Sequence, residues 1–239
     1  MIYFSVCSRE GKQPKSLDKL IKYCNSDEAF RISVTYDASS IYDGHKQNIR
    51  LFKRWMALED SDIIVLCHDD VDIISNQKEV LQLLSMARKP GVGFVGLAGA
   101  CQLPPDGAWW NARAVGDTRG FVFQGTDATT MYPNYFGKSG QVIVLDGCFL
   151  ALTYSTLKTI GLEEPDYLET GWDFYDIHLT YKAHLKGFAN YTVPIIVMHE
   201  SAGIMREGWF AAKDKFLSNH AATLPHAKLT VNKTHGLPK

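Results

Sequence analysis

Four side chains able to hold a cation or move a proton crowd into five positions: His68, Asp69, Asp70 and Asp72. They follow the apolar run Ile63-Ile-Val-Leu-Cys67, which reads as an interior strand of an α/β sheet. Ligands of such sheets gather at the carboxyl ends of the strands. Carboxylates packed together there repel one another unless a cation sits among them. The segment therefore points to a divalent metal facing a polyanionic ligand. The plainer alternative is a solvated turn, since Asp favours turns.

A second candidate is His199, which follows the apolar run Val193–Met198 and precedes Glu-Ser-Ala-Gly203. On its own it reads equally as a hydrogen-bonded surface histidine. Asp146-Gly147 interrupts the run from Val142 to Leu152, where a charge needs a partner or a ligand, unless the pair is a simple hairpin turn. Asp173 and Asp176 sit three apart at the start of an expected helix, on one face, where capping and proton transfer are both open to them. Trp109-Trp110 lies in a Gly-rich polar stretch, where one indole is expected to shape a pocket and the other to fill core.

The elements that must position these groups alternate along the first hundred residues. Strands are expected at Ile2–Cys7, Phe30–Tyr36, Ile63–Cys67 and Gly93–Ala98, with amphipathic helices at Lys15–Cys24, Gln47–Leu58 and Gln77–Arg88. Residues 101–140 are rich in turn formers and aromatics and read as irregular or antiparallel structure over the ligand edge, mobile until a ligand orders it. Strands return at Gln141–Leu145, Cys148–Thr153 and Val193–Met198. Helices are expected from about Trp172 to Leu185, with Thr170 or Asp173 as cap, and around Trp209–Asn219. Asp72 reads as a helix-start or turn residue, and His178 and His184 as partly exposed. Ser39, Ser40 and Asp43-Gly44 look like turn chemistry.

The chain has 239 residues, 46% hydrophobic and 21% charged, with a formal net charge of −1. One domain with a full core is expected over 1–239, its main part about 1–203 and a C-terminal helix and tail about 204–239. The near-neutral balance argues against nucleic acid as a partner. Five scattered cysteines without a C-x-x-C pair suggest a reducing compartment. With no signal-peptide pattern and no transmembrane run, the expectation is a cytoplasmic protein, a peripheral contact with the inner face of a membrane staying open.

Five stretches in this order resemble the family-2 glycosyltransferases of GT-A fold. They are Asp37-Ala-Ser-Ser40, Val65-Leu-Cys-His-Asp-Asp-Val71, Val95-Gly-Leu-Ala-Gly99 with Trp109-Trp110, Asp146-Gly-Cys-Phe-Leu-Ala151, and Tyr175-Asp-Ile-His-Leu179 with Pro194-Ile-Ile-Val-Met-His-Glu-Ser-Ala-Gly203. The nearest likeness is a bacterial branch of glycosyltransferase-like proteins linked to capsule and surface polysaccharides. The resemblance implies a nucleotide-diphospho-sugar transferase-like fold, a Rossmann-like mixed, mostly parallel sheet flanked by helices.

It further implies an inverting, metal-dependent transfer of a sugar from a UDP, GDP or dTDP donor to a hydroxyl of a glycan or lipid-linked acceptor, with Mn²⁺ or Mg²⁺. Asp70 and His199 would hold the metal. Asp37 would take the base of the nucleotide, flanked by Ser8 and Arg9, and Asp69 would reach the ribose or sugar. Asp146, Gly147 and Trp110 would border the donor sugar or acceptor. Asp37 is otherwise a turn cap. Where relatives carry Glu-Asp, this chain has Tyr175-Asp176, which makes Asp176 the base, with Asp173 the alternative. Where many relatives carry Asp-x-Asp, this chain has His68-Asp69-Asp70, so whether His68 or Asp69 joins the metal stays open. A metal-dependent phosphoesterase and a non-catalytic sugar- or nucleotide-binding module are the competing functions.

Overall fold

A computed structural model of the chain describes residues 1–8, 15–127, 129–168, 171–224 and 229. The elements in order are β1 (Ile2–Ser8), α1 (Lys15–Asn25), β2 (Phe30–Tyr36), α2 (Ile41–Trp55), β3 (Ile63–His68), β4 (Val71–Ile73), α3 (Gln77–Leu84), β5 (Val92–Gly96) and β6 (Ala98–Ala100). Then come β7 (Thr118–Gly125), β8 (Tyr132–Gly137), β9 (Gln141–Val142), β10 (Val144–Leu145), β11 (Phe149–Thr153), α4 (Tyr154–Ile160), α5 (Tyr175–Leu185), β12 (Ala189–Thr192), β13 (Val197–Glu200) and α6 (Glu207–Asn219).

β1 shows why the main sheet forms. Every residue of it is buried, and alternate side chains enter opposite cores. Ile2, Phe4 and Val6 pack with Leu17 and Leu20 of α1, while Tyr3 and Cys7 pack with Tyr42 and Phe52 of α2. A strand covered on both faces reads as a continuous apolar run. The sheet has seven strands in the order β2-β1-β3-β11-β5-β12-β9. β2, β1, β3, β5 and β12 point one way, and β11 and β9 oppose them, so the sheet is mixed and mostly parallel as expected.

A second sheet runs β10-β6-β7-β13-β4, with β8 paired to β7. It accounts for most departures from the expected elements. The run Val193–Met198 is not one strand: β12 ends at Thr192, Pro194 has no N–H to continue the ladder, and the chain crosses to enter the second sheet as β13. Gln141–Leu145 divides at Ile143 into β9 of the main sheet and β10 of the second. The stretch expected to be irregular or antiparallel is antiparallel over part of its length. It holds a 3₁₀ turn at Trp109–Val115 and the hairpin β7–β8, with β7 between β6 and β13.

α2 begins six residues before the expected start, because Ser40 caps it by accepting the amide of Asp43 at 3.1 Å. Asp43 and Gly44 are thus helical, and a Cβ at Gly44 would stand 2.5 Å from Cys7 Sγ, so the glycine lets α2 lie close on β1. α5 begins at Tyr175 rather than Trp172. Its N-cap position is Phe174, in the left-handed region at φ 64° and without a side-chain cap bond, so Asp173 is not the cap. Thr170, the other expected cap, lies outside the described residues. Asp72 sits in β4, paired with Lys19 at 2.7 Å, rather than opening a helix. His178 is buried, not partly exposed, and meets the Tyr167 hydroxyl at 2.5 Å. All five cysteines are buried free thiols.

Candidate active site

The end of β3 and the hairpin-like pairing of β4 with β13 build a cluster of three ligands. β3 delivers His68, and the turn Asp69-Asp70 reverses the chain into β4. β13 runs antiparallel to β4 with His199 opposite Val71, and the Glu200 amide donates to the Asp70 carbonyl at 2.8 Å. His199 therefore stands inside a strand of the second sheet rather than beyond the end of a main-sheet strand.

One ligand atom from each of His68, Asp70 and His199 lies within 4.8 Å of the others. His199 Nε2 is 3.2 Å and His68 Nδ1 3.7 Å from Asp70 Oδ1. That oxygen is buried, and among the described residues only the two imidazoles face it. A buried carboxylate oxygen faced by two imidazole nitrogens fits a divalent cation. Burial works to raise the Asp70 carboxyl, but the two histidines outweigh it and hold it below the ordinary range. The same pairing raises His199 against the effect of its own burial.

The cluster opens on a cleft of about 1340 Å³. Asp69, Asp146, Gly147, Asp173 and Asp176 line it, as do Trp109, Trp110 and Trp209. Trp109 is buried against Phe136, while half-buried Trp110 packs on Trp209 of α6. Asp146 is both turn and cleft residue: its Oδ1 accepts the Cys148 amide at 3.0 Å in the turn between β10 and β11.

Asp176, in the first turn of α5, accepts its neighbour Ile177's amide at 2.8 Å. Burial, and then the nearby charge of Asp146, push its carboxyl up to about 7. Gly147 is required by protein contacts as much as by any ligand. A Cβ there would collide with the Tyr175 hydroxyl and stand 2.9 Å from Asp176 Cβ.

The residues expected around a nucleotide base are placed differently. Asp37 is exposed just after β2, in the left-handed region at φ 54°, and is not part of the cleft lining. Ser8 ends β1 with its hydroxyl buried and without a partner among the described residues. Arg9 lies outside the described residues. The sequence left open whether His68 or Asp69 joins the cluster, and the structure groups His68 with Asp70 and His199; the contributor that went unread is Tyr175, whose hydroxyl meets His68 Nε2 at 2.7 Å. The signal for His68 was its place in the acidic segment. Tyr175 carried none, since the partner is 107 positions away.

The sequence model of a family described as "Glycosyltransferase like family" matches residues 36–223. No curated protein matches the chain. Among solved structures, A197 from STIV aligns at TM-score 0.47 and 11% identity over 86% of this chain and 96% of its own. GalNAc-T7, with UDP, GalNAc and Mn²⁺, aligns at 0.48 and 12% over 89% of this chain and 40% of its own. The 2-C-methyl-D-erythritol 4-phosphate cytidylyltransferase of Francisella tularensis aligns at 0.40 and 12% over 91% and 98%.

Proposed function

The chain belongs to this glycosyltransferase-like family, and from that premise we propose that it moves a sugar, with inversion, from a nucleoside diphosphate donor to a hydroxyl of a glycan or lipid-linked acceptor. One observation carries the reading: a carboxyl whose proton affinity is raised to about 7 shares a single cleft with a His-Asp-His cluster suited to a divalent ion.

Asp176 is the base. A carboxylate with a pKa near the working pH takes a proton from an alcohol more effectively than an ordinary one. As the acceptor oxygen bonds to the anomeric carbon, its proton passes to Asp176 and the bond from that carbon to the diphosphate oxygen breaks. The nucleoside diphosphate leaves with the electron pair. His68, Asp70 and His199 would hold the metal, which supplies positive charge to the leaving diphosphate. Two imidazoles beside one carboxylate favour Mn²⁺ over Mg²⁺.

Asp69 reaches the ribose or sugar, and Asp146, Gly147 and Trp110 border the donor sugar or acceptor. The donor nucleotide is UDP, GDP or dTDP. The family's capsule and surface-polysaccharide branch supplies the acceptor class. No helix among the described residues is long and apolar enough to cross a membrane.

The test is a thermal-shift screen of UDP, GDP, dTDP and CMP with and without Mn²⁺, followed by hydrolysis of the matching nucleotide-sugars. One diphosphate should stabilise the protein only with the metal present. Stabilisation by none, together with turnover of para-nitrophenyl phosphate, would move the assignment to a phosphoesterase. Against that rival, a two-metal hydrolase needs ligands for two ions about 3.5–4 Å apart, and among the described residues the group found offers three ligand residues.

A further inference from the structure

The Tyr175 hydroxyl touches two atoms. It lies 2.8 Å from the Gly147 carbonyl oxygen and 2.7 Å from His68 Nε2. A carbonyl can only accept, and a phenol has one proton to give. If that proton went to His68, two oxygens would face each other at 2.8 Å with nothing between them. The arrangement that satisfies all three atoms has Tyr175 donating to Gly147 and His68 Nε2–H donating to Tyr175. A neutral imidazole protonated on Nε2 is bare on Nδ1. His68 Nδ1 is the nitrogen that faces inward, 3.4 Å from His199 Nε2 and 3.7 Å from Asp70 Oδ1.

We propose that Tyr175 is a positioning residue that fixes the tautomer of His68, turning the unprotonated Nδ1 toward Asp70 and His199 as the third protein ligand of a divalent ion. The proposal rests on the metal-assisted reading above and adds to it the residue that prepares the site. Tyr175 is suited to the task. It is almost wholly buried, so water does not compete for its hydroxyl. Its ring is held edge-on by Tyr42. The backbone partner, Gly147, is a residue on which a Cβ would collide with this same hydroxyl. Tyr175 also begins α5 one residue before Asp176, so a single turn of helix orients a metal ligand and carries the base.

The experiment compares wild type with Tyr175→Phe, which keeps the ring, and reads three quantities. Melting temperature shows that the variant is folded. Imidazole ¹⁵N shifts in the metal-free protein at about pH 9, above the ordinary imidazole range, report the tautomer. Titration with Mn²⁺ alone, followed by electron paramagnetic resonance of the free ion, gives affinity. Wild-type His68 should carry its proton on Nε2, and Tyr175→Phe should show a mixture of tautomers. Mn²⁺ affinity in the variant should fall roughly 10- to 100-fold, the usual cost of losing an outer-shell partner. Equal Mn²⁺ affinity in the two proteins, or a wild-type proton on Nδ1, would overturn the role of Tyr175 while leaving the glycosyl-transfer reading intact. Absence of Mn²⁺ binding by the wild type would overturn both.

Discussion

Asp70 Oδ1 lies 3.2 Å from His199 Nε2: Asp70 stands in the turn that leads into β4 and His199 in β13, and the β4–β13 ladder brings them together. Removing Asp70 takes away the single carboxylate of the cluster. Asp70→Ala should abolish Mn²⁺ binding measured by calorimetry. His199→Ala should weaken it less, because water or a donor diphosphate can occupy the vacated position. Nucleoside diphosphate titrations that look the same with and without EDTA would contradict the site.

Asp176→Asn should separate chemistry from binding. Loss of a general base costs about 10²–10⁴-fold in turnover, while affinity for donor nucleotide should stay near the wild-type value, because Asn fills the same space. A variant that turns over normally would shift the base to Asp173, which lines the same cleft.

The raised carboxyl also sets pH dependence. Turnover should climb as pH passes through about 7, where Asp176 gives up its proton. Stability runs the opposite way. The folded carboxyl binds its proton more tightly than the unfolded one, so this contribution is whole below about pH 4 and is lost as pH rises through about 7. Asp176→Asn has no charge to bury and should melt higher than wild type at pH 8. Asp146→Asn removes the neighbouring charge and should move the rise in turnover to lower pH. An unmoved profile would mean that burial alone sets the shift.

Gly147→Ala should damage both fold and site. The new methyl meets the Tyr175 hydroxyl and the Asp176 side chain, groups that the rest of the cleft holds in place. Overpacking of this kind costs about 1–3 kcal/mol, readable as a lowered denaturant midpoint, and Mn²⁺ affinity should fall with it. An unchanged midpoint would show that α5 can move away from the β10–β11 turn.

Hydrogen exchange distinguishes a lid from a sheet. β7 is paired along one edge by β8 and along the other by β6 at its start and β13 at its end, so its amides should exchange slowly with or without nucleotide. Faster exchange is expected near Thr126 and Thr129, in the exposed turn between β7 and β8. Rapid exchange throughout β7 in the free protein would restore the expectation of a mobile cover.

Strand and helix order over the first hundred residues and the crowding of possible cation ligands around His68 could be read from the sequence, because each depends on local spacing. Ile63–Cys67 is apolar since both faces of β3 are covered, and an acidic patch at the end of such a strand has few innocent explanations. Other features depend on contacts between distant residues. Whether Val193–Met198 forms one strand was decided by the second sheet, which captures Val197 onward. The departures His68 and Tyr175 look unrelated in the sequence and are hydrogen-bonded in the fold. The shift of Asp176 exists only because folding buries it and brings Asp146 close to it. Composition and periodicity determine which surfaces are buried. Ligand geometry, tautomer and proton affinity are set by what the buried surfaces bring together, and so only the tertiary structure decided them.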